Sequence, residues 1–514
     1  MRNLAIGMAL AFSLAATPAA WATDTSDPTL STPPTQAVGA EQSRLDAALE
    51  KAGNGVQTGL IEDVRAVVDD PAFAGLPSDR RFLALKLLGA VLYDAKDMSG
   101  AHAALVRATQ MDEADQAAWK LRFYSADDAD KAENLLCLTV IANRWPEALG
   151  DVKASYIGDL VRDTADKPPL ANARQQAMAA LWSAHWPGDQ SDYDADFIWK
   201  SLVDLYLDQG QTDKALAVAQ SVSTPRNLIL FSVDHRYDRL RQGLSDHLDI
   251  SKAQALYSAH LKAVADAHPD SLDAINNLVW ELRSEARLDD ALGLIQTTES
   301  RINAAPSAKP AFSDTASRLA WLENNKAYIL NLLGREQEAV TALQAATKLP
   351  DPDDGNNVSE VINLGAMLVN QGHPQEGLEA VAHIRKDDAS MFGWMQAWDV
   401  RACAYAQLHD TAQFQAQLKL LLAHEADAPG ALQDAYDCAD DLDDEAAVLI
   451  RRLNNPDQRP DALLSSQTYV HPGHDSAIEA AAFARWKRLV ARPDVQKALA
   501  AAGRIIDIPR YDAD

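Results

Sequence analysis

The chain has 514 residues and is acidic: 74 Asp and Glu face 47 Lys and Arg, a net charge of −27. Such a field repels nucleic acid and acidic membrane surfaces, which are held through clustered Lys and Arg. Three cysteines (Cys137, Cys403 and Cys438) are too few for a disulfide framework.

The chain opens MRNLAIGMALAFSLAATPAAWA. One early charge, an apolar run to about Ala20 and small residues two apart at Ala20 and Ala22 read as an export signal over residues 1–22. No cysteine precedes Cys137, so no lipid-bearing residue stands at the cleavage point. The mature chain is expected in the periplasm or secreted, with no integral membrane span after cleavage. Residues 23–40, rich in Thr, Pro and Ser, read as a disordered leader.

Beyond residue 40 apolar side chains recur at three- and four-residue steps, and strand-like alternation is nearly absent. Ser43–Asp46 and Ser476–Glu479 fit capping boxes that open helices. A further step recurs: a small residue, then a polar turn, then another small residue five positions after the first. It appears at Gly210 and Ala215, Ala286 and Ala291, Gly334 and Ala339, and Gly372 and Gly377. A small residue where two antiparallel helices cross lets their backbones approach, and Gly accepts the left-handed conformation that ends the first helix. The step therefore marks the corner of a helical hairpin.

Aligning on that corner places Ala101, Ala148, Ala215, Ala291, Ala339, Gly377 and Phe414 in one phase, with Leu92, Thr139, Tyr206, Leu282, Leu330, Leu368 and Tyr405 nine residues earlier. Trp199, Ile275, Val361 and Trp398 stand seven before members of that second set. This register resembles the tetratricopeptide repeat, W-x2-L-G-x2-Y followed by Ala, and is clearest from Phe197 to Ala423. The intervals are 47, 67, 76, 48, 38 and 37 residues, against a family period of about 34. Thr224–Gly243 and Asn303–Ala316 read as irregular stretches, and Ala253–Pro269 as the second helix of an additional pair.

The resemblance implies an all-α, right-handed superhelical solenoid of antiparallel helix pairs with degenerate units. Residues 41–195 form its degenerate first part and 196–453 its core. A linker follows over 454–475, and 476–514 form a C-terminal helical cap. It further implies that the second, fifth, ninth and twelfth positions of each first helix face a groove. Carried over, these nominate Phe197, Lys200 and Asp204; Asp273, Asn276, Trp280 and Arg283; Trp321, Asn324, Tyr328 and Asn331; Ile362; and Gln396 and Asp399. The sixth position holds Asn277, Asn325 and Asn363, matching the family preference. Asn side chains offer a donor and an acceptor to any peptide backbone, and Trp and Tyr give rigid contact area. The alternative for each residue is packing between adjacent helices.

No HExxH, GxSxG, GxGxxG or phosphate-binding loop occurs. His471, His474 and Asp475 offer metal-ligand chemistry in a short loop, but a polar turn suits them equally. Pro350–Glu360 carries four carboxylates around Gly355 at the wrong spacing for a calcium loop. Asp437–Ala447 reads as a polar turn with acidic residues at a helix N-terminus. Cys403 and Cys438 lie 35 residues apart, so either three buried thiols or one bridge between neighbouring helices fits. The expectation is a non-enzymatic scaffold that binds a protein or peptide, without cofactor or metal, in an envelope, transport or secretion assembly. The alternatives are an enzyme built around Asn454–Asp475 and a cell-wall polysaccharide binder.

Overall fold

Helix follows helix through the computed structural model, which describes residues 35–126, 130–152, 154–186, 194–306, 309–350, 357–385, 387–471 and 473–512. The export signal, most of the leader and the centre of the Pro350–Glu360 loop lie outside the described residues. The chain divides into two compact units, Met1–Ile198 and Trp199–Asp514. Among the described residues no helix is long and apolar enough to cross a membrane.

Among the described residues seven corners share one geometry. Lys96, Gly210, Ala286, Gly334, Gly372, His409 and Asp440 all take left-handed backbone, with φ between 54° and 83°. At each, the next residue's N–H reaches back five positions to a carbonyl: Asp97 to Leu92, Gln211 to Tyr206, Arg287 to Leu282, Arg335 to Leu330, His373 to Leu368, Asp410 to Tyr405 and Asp441 to Tyr436, all at 2.8–3.0 Å. This bond satisfies an orphan carbonyl at the end of the first helix. The donor residue also starts the second helix: its carbonyl accepts from the N–H four positions on, at Ala101, Ala215, Ala291, Ala339, Gly377, Phe414 and Glu445. The result is a run of antiparallel helical hairpins.

Among the described residues the first unit holds one such hairpin, Ser78–Asp94 with Met98–Thr109, around a core that includes Leu60, Val64, Phe82, Leu88 and Leu105; at the Gly210 corner Asp194–Asp208 leads into Thr212–Ala219. In the second unit, Leu272–Ser284 pairs with Leu288–Ala304, Thr315–Leu332 with Glu336–Ala346, and Val358–Asn370 with Pro374–Val381. Met391–Gln407 then pairs with Thr411–Ala423, and Pro429–Cys438 with Leu442–Asn454. At the third of these corners the backbones nearly touch: a Cβ on Gly377 would lie 2.9 Å from the Gly365 carbonyl and 2.5 Å from a Val369 methyl.

Several expectations need correction. Thr35–Ala40 are not leader but the start of a helix reaching Gly53, held by Val38 against the core. Ser43 is therefore no cap; its hydroxyl donates to the Gly39 carbonyl within that helix. Ala148 lies in a short 3-10 turn, Pro146–Asp151. Pro146 stops the Lys131–Arg144 helix, and Trp145 takes φ −144° rather than a left-handed turn, so the phase breaks there. Thr224–Gly243 contains the helix Pro225–Val233. Its run of Leu228, Ile229, Leu230 and Phe231 is buried on every side, which hides a helical period. The Asn454–Asp475 linker likewise contains a helix, Arg459–Ser465, with Ala462, Leu463 and Leu464 buried. The capping box at Ser476 and Glu479 is present.

Cys403 and Cys438 form a disulfide, with Cα atoms 5.1 Å apart, joining the first helices of the last two hairpins. Three free thiols are thereby ruled out. Cys137 is buried, and burial drives its thiol far above the ordinary range.

Two measurements test this packing. Gly377→Ala should lower stability by about 1–3 kcal/mol through overpacking, whereas Gly293→Ala, with nothing within 4 Å of the added carbon, should raise it by about 0.5–1 kcal/mol. Urea midpoints of the two variants would separate them, and equal shifts would contradict the close crossing.

The second measurement concerns Glu445, which fills a corner position where five of the other hairpins carry Ala or Gly and is 3% exposed. Burial first, then the charges of Asp437 and Asp434, push its carboxyl up to about 8 against the pull of Arg485. Folding thus favours the protonated form. The stability this contributes is complete below the usual Glu value of about 4.3 and is gone once pH passes about 8. The melting temperature should fall between pH 5.5 and 8.5, and Glu445→Gln should flatten that fall.

Candidate binding groove

The first helices of three successive hairpins set one face toward a cavity of about 460 Å³. Leu272–Ser284 contributes Trp280 and Arg283 to its lining; Thr315–Leu332 contributes Trp321, Asn324, Tyr328, Asn331 and Leu332; Val358–Asn370 contributes Asn363, Ala366, Met367 and Asn370. Steps of three and four keep such residues on one side of a helix. Seven of the nominated side chains (Trp280, Arg283, Trp321, Asn324, Tyr328, Asn331 and Asn363) thus meet in one place.

The cavity is polar at its base and aromatic at its rim. The Asn363 amide donates to Asn324 Oδ1 at 2.9 Å, and Gln371 donates to Asn331 Oδ1 at 2.8 Å. Trp280 and Trp321 remain 36% and 39% exposed, enough to meet an incoming ligand. Arg283 is buried, its guanidinium 4.1 Å from the Trp280 ring centre and 5.4 Å from that of Tyr328. Burial raises the Tyr328 phenol above its ordinary range, so it stays a neutral donor.

The opposite wall comes from the C-terminal segment. Glu479, on the Ala477–Val490 helix, accepts from the Asn331 amide at 3.4 Å and also caps its own helix through Ser476. Tyr511 and Asp512 complete the lining. The Tyr511 N–H donates to the Ser284 carbonyl at 2.7 Å, and Asp512 lies 3.6 Å from the Arg283 guanidinium. Burial, then the Asp512 charge, push the Tyr511 phenol up to about 12. Arg510 anchors the tail through two hydrogen bonds to Glu281, at 2.7 and 3.0 Å, with both side chains buried.

The expected C-terminal cap is thus more than a cap. Its helices do cover the last hairpin: Arg485 grips Asp437 through two hydrogen bonds, Arg488 pairs with Asp440, and Arg492 with Asp443. The acidic run read as a polar turn is the dock for these arginines. The chain then returns across the earlier hairpins. Arg504 N–H donates to the Val233 carbonyl at 2.9 Å, and Asp507–Ile508 pairs in parallel with Thr468–Tyr469.

Other nominated residues turn elsewhere. Lys200 pairs with Asp204, which also accepts from the Tyr237 hydroxyl at 2.7 Å. Phe197, in the first unit, lies beneath the Arg162 guanidinium. Asn276 is buried and donates to the Arg318 carbonyl, while Asn325 is buried and Asn277 half-buried, outside the cavity lining. Asp273 pairs with Arg318 at 2.7 Å, and Asp399 lies beside the Cys403–Cys438 bridge, its Oδ1 3.5 Å from Cys403 Sγ. Ile362 is buried in an apolar cluster and Gln396 is half-buried. His471 and His474 take separate carboxylates, Asp475 and Glu336, and no group of three metal-ligating side chains occurs among the described residues.

No family model and no curated protein matches the chain. Among solved structures it is similar to Cut9 in the APC/C hetero-tetramer Cut9-Hcn1, at 14% identity over 88% of this chain and 91% of that one, with a TM-score of 0.27. The P58(IPK) TPR domain matches at 13% identity over 79% and 99%, with a TM-score of 0.19. The Naa15/Naa10 complex bound to HypK-THB matches at 13% over 90% and 70%, with a TM-score of 0.26. Superpositions this loose do not bear on what this chain binds.

Breaking the tail anchor should be costly. Arg510→Ala leaves Glu281 buried without its partner and should cost about 3–5 kcal/mol, whereas Arg510→Met with Glu281→Leu should recover most of that loss. Urea unfolding of the two variants measures both; a negligible cost for Arg510→Ala would show that the tail is not held there.

Proposed function

We propose that this chain is a non-enzymatic scaffold that receives an extended polypeptide segment of a protein partner in the groove of its second unit. The observation that carries this reading is the tail itself. The groove already accommodates a non-helical segment of chain, takes a main-chain hydrogen bond at Ser284, and keeps an adjoining cavity lined by Trp, Tyr and Asn side chains. Aromatic rings there supply contact area, and the Asn amides supply pairing that does not depend on the sequence bound. The cavity's two carboxylates are turned to Asn331 and Arg283, which favours a binding role over a catalytic one.

The reading extends to location: an exported protein of the periplasm or cell exterior, acting in an envelope, transport or secretion assembly. The opening export signal supports this. So does the Cys403–Cys438 bridge, since structural disulfides persist in oxidising compartments.

The test begins with crosslinking in intact cells and mass spectrometry to identify the partner, followed by titration of that purified partner. Trp280→Ala and Asn324→Ala should each weaken binding, the tryptophan by about 30-fold or more if it is a central anchor, with helicity by circular dichroism unchanged. Undiminished binding by both variants would remove the groove from the account. Selective glycan-array binding abolished by Trp321→Ala would replace the protein partner with a polysaccharide.

A further inference from the structure

The first unit contains a second cavity, of about 430 Å³, unrelated to the groove register. Its floor is apolar: Phe73 and Leu85 are buried, and Met111 packs against the same core. Arg81 and Arg107 enter from two helices, Ser78–Asp94 and Met98–Thr109, and Ser78 and Gln110 add polar atoms. One carboxylate, the exposed Asp112, lies on the lining.

These two arginines differ from their neighbours. Arg80 pairs with Asp46, Lys86 with Asp115, and Arg122 with Glu133 and the Thr109 hydroxyl. Among the described residues neither Arg81 nor Arg107 has a carboxylate partner. Arg81 Nε is buried with no hydrogen-bond acceptor, and Arg107 lies over the Phe73 ring with its Cζ 5.7 Å from the centroid. A buried guanidinium N–H without an acceptor is costly. Ser78 also opens a 17-residue helix whose N-terminus has no side-chain cap, and the exposed Asp79 follows in its first turn. In a chain with 27 excess negative charges, two unpaired guanidinium groups over an apolar floor are a local exception.

We infer that this cleft binds a small organic acid: an oxyanion, carboxylate or phosphate monoester, carried on an apolar body. The oxyanion takes the two guanidinium groups, whose planar donor forks suit either chemistry. The body lies on Phe73, Leu85 and Met111. The inference is independent of the groove, since every residue it uses belongs to the first unit.

Isothermal titration calorimetry of the full chain with benzoate, phenyl phosphate and the uncharged benzyl alcohol tests it. At least one acid should bind one-to-one, tenfold or more tighter than benzyl alcohol; the stronger acid identifies the oxyanion. Arg107→Gln, at an exposed side chain that should not disturb folding, should weaken that acid at least tenfold, as should Arg81→Gln. Arg80→Gln, on the same helix but ion-paired, should change affinity less than twofold. Acids that bind no better than benzyl alcohol, or an Arg107→Gln variant that titrates like the parent, would overturn the inference. If Arg81→Gln fails to fold, the Arg107 comparison decides alone.

Discussion

The close crossing of two helices just after a left-handed turn residue is the constraint on which the rest depends. A hairpin that crosses at larger separation would splay its second helix, and the following first helix would lose its seat. The fixed offset between the left-handed residue and the residue packed at the crossing holds seven corners in one geometry. Only at Gly377 is the crossing so tight that a Cβ would press on backbone. Elsewhere Ala suffices, and at Phe414 and Glu445 a larger side chain is buried in its place.

That constraint is local chemistry, which is why the hairpins were legible in the sequence. Gly210, Gly334 and Gly372 announce left-handed backbone because Gly adopts it without a Cβ penalty. The corners at Lys96, His409 and Asp440 carry no such mark, and there the phase of the neighbouring apolar stripe is the guide. The same reasoning misplaced Ala148, a small residue at a suitable interval whose turn is dictated instead by Pro146. The buried helix at Pro225–Val233 escaped for the opposite reason: a helix apolar on every side has no periodic face to detect.

The lining of the cavity was legible in part. Ninth and twelfth positions delivered Trp280, Arg283, Tyr328 and Asn331 to the cavity, and Trp321 came from a second position. Fifth and sixth positions lie closer to the next hairpin: Asn276 is absorbed there on the Arg318 carbonyl, whereas Asn324 and Asn363 pair with each other on the cavity lining. The tail could not be placed from sequence, because its pairings span more than two hundred residues, as between Arg510 and Glu281. Its composition carried a hint. Ile505, Ile506 and Ile508 form a β-branched cluster in an otherwise helical chain, and Ile508 is buried where it pairs beside Tyr469.

The tail also explains why the last hairpin is so acidic. Asp437, Asp440 and Asp443 line the corner of the last hairpin, and Arg485, Arg488 and Arg492, on and just beyond the Ala477–Val490 helix, meet them one to one. Exposed pairs of this kind contribute little stability singly, but a row of them fixes the line along which the Ala477–Val490 helix lies. That line brings Glu479 to Asn331 and starts the path that ends with Tyr511 at Ser284. The acidic run therefore acts at a distance: by setting where the C-terminal segment turns back, it determines which first helices keep an open face and which are covered.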